Sequence, residues 1–116
     1  MDACTIIAKN YLPHARVLAA SFLEHHPGGR FTTLVVDDPG RDEPSREGFD
    51  VLSPYDIGLE QAEVHRMAFI YDLKEFATAV KPSLLKHLLS DAEDVTYFDP
   101  DIEVFAPLDD ISALAR

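Results

Sequence analysis

Short apolar runs alternate with amphipathic stretches along most of the chain. Cys4-Thr5-Ile6-Ile7-Ala8 is compact, apolar and partly β-branched, which predicts a buried parallel strand. Lys9-Asn10-Tyr11 breaks the run. Asn10 is expected to cap a helix whose first turn tolerates Pro13, because no internal donor is lost there. Leu12, Ala15, Ala19, Phe22 and Leu23 share one face of that helix, with His14, Ser21, Glu24 and His25 off it. Pro27-Gly28-Gly29 closes it. Phe31-Thr32-Thr33-Leu34-Val35-Val36 predicts a second strand. Residues 37–48 hold prolines, glycines and charges and predict a polar surface loop. Phe49–Leu52 is a short third strand, and residues 60–71 read as a helix with Val64, Met67, Ala68 and Tyr71 on one face. A further helix covers residues 75–89, which Pro82 either kinks or divides, and Leu84, Leu85, Leu88 and Leu89 anchor its end. Val95-Thr96-Tyr97-Phe98 is the fourth strand. Extended structure resumes over Ile102–Phe105, and Asp109 or Asp110 is placed to cap a short terminal helix.

This alternation implies an α/β fold, a mostly parallel sheet flanked by helices. The expected core is Ile6, Ile7, Leu34, Val35, Val36, Val51, Val95 and Tyr97. The 116 residues suit a single domain over 1–116. Acidic residues number 21 against 10 basic ones, a net charge of −11. That balance argues against nucleic acid and anionic lipid as partners. The single cysteine, Cys4, allows no internal disulfide and is expected to be a small core residue, consistent with a reducing, cytoplasmic setting. No apolar run is long enough to span a bilayer, and the acidic start MDACTIIAKN does not read as a signal peptide.

Ligands of open α/β sheets bind beyond the carboxyl ends of the strands. Three such ends carry polar groups: Ala8-Lys9-Asn10-Tyr11, Val36-Asp37-Asp38 and Phe98-Asp99-Pro100-Asp101. In the last, two carboxylates one residue apart can turn toward one hard divalent cation, which could bridge to a diphosphate. Taken alone, the triplet reads first as a solvated turn, and its place between the apolar runs Val95–Phe98 and Ile102–Phe105 is what favours a site. From Leu89 to Arg116 the acids are Asp91, Glu93, Asp94, Asp99, Asp101, Glu103, Asp109 and Asp110, with Arg116 the one base. An anionic ligand there needs a metal or a basic residue, for which Lys9 and Lys81 are the candidates. His25 and His26 are either metal ligands or cations at a helix C-terminus. His14, His65 and His87 are expected on helix surfaces, and Tyr11 either stacks on a base or covers the sheet edge.

A two-component receiver domain would explain Asp37-Asp38, but its acidic pair normally follows the first strand, and Lys81 precedes the best later aspartate. A dinucleotide-binding turn needs glycines that Ala8-Lys9-Asn10-Tyr11 lacks, and no Walker A loop occurs.

Three blocks in order, Thr5 to Ala19, Glu75-Phe76-Ala77-Thr78-Ala79-Val80-Lys81-Pro82 and Tyr97-Phe98-Asp99-Pro100-Asp101-Ile102-Glu103-Val104-Phe105, resemble glycosyltransferases of the GT-A fold, nearest to the bacterial family 8 type. The resemblance implies the Rossmann-like, nucleotide-sugar-binding half of such an enzyme. Asp99 and Asp101 would hold Mn²⁺ or Mg²⁺ on the donor diphosphate, with Pro100 between them at the donor. Ala8, Asn10 and Tyr11 would meet base and ribose, Asp37 the base and Lys81 the phosphates. Enzymes of this fold are about twice as long, and their second half binds the acceptor and supplies a histidine metal ligand. The chain is therefore expected to be a truncated transferase, a donor half for a nucleotide-sugar, with UDP-sugars first. The competing expectation is a binding domain without turnover, which would pair with itself to cover exposed sheet.

Overall fold

The computed structural model describes residues 1–37 and 48–108. The expected helix at Asp109 or Asp110, and most of the 37–48 loop, lie outside the described residues. Four strands, β1 (Asp2–Ile7), β2 (Phe31–Val35), β3 (Asp50–Leu52) and β4 (Val95–Tyr97), form one sheet in the order β3-β2-β1-β4. Every pairing is parallel, with Ile6 opposite Leu34, Leu34 opposite Leu52 and Cys4 opposite Tyr97. Three helices cover it: α1 (Leu12–His25), α2 (Gln61–Ile70) and α3 (Leu73–Leu89). This is an α/β fold with an all-parallel sheet flanked by helices. Its order matches the first four strands of a Rossmann-like sheet and differs from the 2-1-3-4-5 order of receiver-type domains.

Period-two alternation divides the core between the faces. Ala3, Ile7, Phe31 and Val35 pack toward α1, against Ala15, Leu18, Ala19 and Phe22. Cys4, Ile6, Ala8, Leu34 and Val36 pack on the opposite side with Val64 of α2 and Phe76, Val80 and Leu84 of α3. Helices on both sides explain why β1 and β2 are continuous apolar runs rather than alternating ones. Ile6, Ile7, Leu34, Val35 and Val36 are buried as expected, whereas Val51, Val95 and Tyr97 are half-buried.

Several local expectations change. Asn10 does not cap α1. Lys9–Tyr11 forms a 3₁₀ turn, and α1 starts at Leu12 with Tyr11 in the cap position and no side-chain cap bond. Pro13 falls in the first turn, where its missing N–H costs nothing. α3 starts two residues early because Asp72 and Glu75 form a capping box: Asp72 Oδ1 accepts from the Glu75 N–H at 2.8 Å, and Glu75 Oε1 from the Asp72 N–H at 3.2 Å. The helix then runs through Pro82 without dividing.

Residues 102–105 are not a strand. The segment crosses the far end of α1 instead, with Val104 buried beside Phe22 and Phe105 80% exposed. Ser21, placed by periodicity off the apolar face, is buried and organises this crossing. Its Oγ donates to the Leu18 carbonyl and accepts the Val104 N–H, both at 2.9 Å. His26 is also buried. It stacks on Phe22 at 4.7 Å, and its Nε2 accepts the Leu108 N–H at 3.0 Å. Gly29 permits the turn into β2, because a Cβ at this position would collide with the Met1 carbonyl.

Candidate functional site

Sheet order places β1 between β2 and β4, so the chain's direction of travel reverses at the β1–β4 boundary. A crevice opens at such a switch point beyond the carboxyl ends of the strands. A cleft of ≈ 770 Å³ lies there. The end of β1 contributes Ile7, Ala8 and Tyr11, and the end of β4 contributes Tyr97, Asp99, Pro100 and Asp101. α3 supplies the third wall through Leu73, Lys74, Ala77, Thr78 and Lys81. The last five follow helical spacing on one side of α3, so one face of that helix looks into the cleft.

The turn bearing the two aspartates is held from β1. The Phe98 N–H bonds the Cys4 carbonyl at 3.0 Å, and Thr5 Oγ1 donates to the Phe98 carbonyl at 2.7 Å. A turn follows in which the Ile102 N–H reaches the Asp99 carbonyl at 3.3 Å. Asp99 and Asp101 are both exposed at the cleft. Facing them, Lys81 Nζ lies 4.1 Å from the Tyr97 ring centroid, a cation–π contact that fixes the one half-buried lysine of this wall. Burial, with the Asp99 carboxylate second, raises the Tyr97 phenol above its ordinary range, so the ring stays neutral beneath the ammonium. Cys4, on the strand behind, is fully buried, and burial pushes its thiol up to about 12, which makes it an inert core group.

The expected site residues therefore divide. Ala8, Tyr11, Lys81, Asp99, Pro100 and Asp101 meet in one cleft. Asn10 is exposed in the 3₁₀ turn and is not among the lining residues. Asp37 is not among the lining residues either; its Oδ1 accepts the Lys9 N–H at 2.9 Å, tying the end of β2 to the loop after β1. Several lining residues escape sequence reasoning, His14, Lys74 and Thr78 among them. His14, expected merely on a helix surface, sits at the mouth with its ring 4.8 Å from that of Tyr11. Lys74 and Thr78 precede Lys81 by seven and three positions, a helical spacing that would have placed both beside it.

Among the described residues, no group of three or more His, Cys, Asp or Glu side chains is arranged to hold a metal by itself. Two carboxylates with open positions suit an ion such as Mg²⁺, which is often held by one or two carboxylates together with substrate phosphates. No described helix is long and apolar enough to cross a membrane. Comparison with protein-family models, with curated proteins and with solved structures finds no match.

Proposed function

We propose that the chain binds a nucleotide-sugar, UDP-sugars first, as the donor half of a GT-A-type glycosyltransferase. The observation that carries this reading is the convergence at the switch point: two carboxylates from the end of β4, an aromatic ring from the end of β1 and a cation from α3 line one cleft. Each has a task that suits such a donor. Asp99 and Asp101 offer hard oxygens to Mn²⁺ or Mg²⁺, with the diphosphate completing the coordination. When bound, the ion supplies Lewis-acid stabilisation to the leaving diphosphate. Lys81 places a fixed positive charge beside the phosphates in a strongly acidic chain, and Tyr11 presents a ring face for the base. Ala8, buried at the end of β1, leaves room for close approach to the backbone. The sugar would pass to an acceptor hydroxyl.

Calorimetric titration of UDP with and without Mn²⁺ tests the reading. Metal-dependent binding that disappears in Asp99→Asn/Asp101→Asn supports it. Metal-independent binding, or binding indifferent to the double substitution, removes the aspartates from the site.

One observation favours a second reading, an interaction module without turnover. Phe69 is 92% exposed, and Ile70, Tyr71 and Leu73 continue an exposed apolar run at the α2–α3 corner. A self-associated chain that Phe69→Asp returns to monomer, in the absence of any UDP affinity, would support that alternative.

A further inference from the structure

We infer that Thr5 is a positioning residue for the Asp99–Asp101 turn: its buried hydroxyl sets the orientation of the peptide from which Asp99 departs. This deepens the donor-site reading and rests on it.

Thr5 is fully buried in β1 and is not among the residues lining the cleft, although its hydroxyl also hydrogen-bonds the Tyr97 phenol there. Its hold on the turn runs through the backbone. The last β1–β4 rung holds the Phe98 N–H, which a strand end ordinarily does without help from side chains. The Phe98 carbonyl lies past the described end of β4, and Thr5 Oγ1 supplies its donor at 2.7 Å, across 93 positions of sequence. That carbonyl and the Asp99 N–H belong to one planar peptide unit. Fixing the carbonyl therefore fixes the plane from which Asp99 leaves the sheet. Without the hydroxyl, a part-buried carbonyl would lack a partner and would gain by rotating toward water, carrying Asp99 with it.

Thr33 provides the contrast. It is opposite Thr5 in the β1–β2 register, equally buried, on the same face of the sheet, and its Oγ1 has no hydrogen-bond partner. Two threonines in adjacent positions thus differ in what their hydroxyls do. Only Thr5 is committed to the turn.

The experiment compares Thr5→Val, Thr5→Ser and Thr33→Val by calorimetry with Mn²⁺ and UDP, alongside thermal melting and amide spectra of residues 98–102. The expected result for Thr5→Val is a loss of about tenfold in affinity, what one ordinary hydrogen bond corresponds to, with shifted amides at Asp99–Ile102. Thr5→Ser restores affinity to within about twofold. Thr33→Val binds as the wild type and melts no lower, since it removes only an unpartnered hydroxyl. Thr5→Val with wild-type affinity and unshifted amides overturns the inference. Should Thr5→Val fail to fold, Thr5→Ala set against Thr5→Ser isolates the hydroxyl, and equal affinity for the two overturns it as well. Absence of UDP binding by the wild-type chain sinks the donor-site reading instead, while the amide shifts still decide whether Thr5 orients the turn.

Discussion

Replacing Lys81 with methionine separates the two tasks the cleft geometry gives this side chain. Methionine keeps most of the apolar stem and removes the ammonium. The ammonium sits 4.1 Å from the Tyr97 centroid on a half-buried residue, a contact worth about 1 kcal/mol at such sites. For a domain of this size that corresponds to a fall of roughly 4 °C in melting temperature. The effect on ligand should be larger. A hydrogen bond from a charged donor to phosphate contributes about 1.5–3 kcal/mol, so UDP affinity is expected to fall by roughly 10- to 100-fold. Uridine lacks the phosphates, so its affinity is expected to be unchanged by the same substitution. Lys81→Arg keeps the charge and should recover most of the UDP affinity. Differential scanning fluorimetry and parallel titrations of UDP and uridine read all of these. If Lys81→Met melts lower but binds UDP like the wild type, the lysine is there for Tyr97 and for the acidic surroundings, and the phosphate assignment is wrong.

Three further outcomes are expected. The Cys4 thiol, at about 12 in the fold against 9.0 ordinarily, ionises more easily in the unfolded chain, so stability is intact below pH 9 and declines by up to about 4 kcal/mol as pH rises toward 12. Denaturant titrations of wild type and Cys4→Ala across that range check it: the variant should lack this part of the decline, and an identical slope would refute it. Asp72→Ala removes the cap of α3 and should cost about 1 kcal/mol by chemical denaturation, whereas a neutral result would mean that helix packing alone sets its start. Arg30→Ala breaks the 2.9 Å pair with Asp50, but the two side chains are 68% and 50% exposed, so a loss above about 1 kcal/mol would contradict its solvent-screened character.

The central strands were legible in the sequence because burial on both faces leaves an unbroken apolar run, as in Ile6-Ile7 and Leu34-Val35-Val36. Their mutual order was not, because nothing local in β1 says that its second neighbour lies some 90 positions away. Asp99 and Asp101 stood out as chemistry at the end of a strand, and Lys81 as one of the few bases able to offset the acidic end of the chain. Asp37 looked identical by that criterion, yet its carboxylate satisfies a backbone N–H. Only the fold distinguishes a carboxylate kept open from one already bonded. Ser21 and His26 failed for the opposite reason. Their polar character argued for solvent, but a segment more than 80 positions later supplied the groups that make burial affordable. His14, Lys74 and Thr78 needed the identity of the facing wall before helical spacing could select them.

The attachment of residues 98–108 to β1 and α1 also has a kinetic side. Thr5–Phe98, Ser21–Val104 and His26–Leu108 each join groups more than 80 positions apart. Closing a chain segment of that length costs on the order of 4 kcal/mol in entropy beyond the constant for any loop, before a single new contact compensates. β1, α1 and β2 are local in sequence and can form early. The aspartate turn has to wait for β4. On a ribosome, the carboxylates would therefore take their places only after nearly all of the described chain has emerged, which makes the cleft the last part of the molecule to mature.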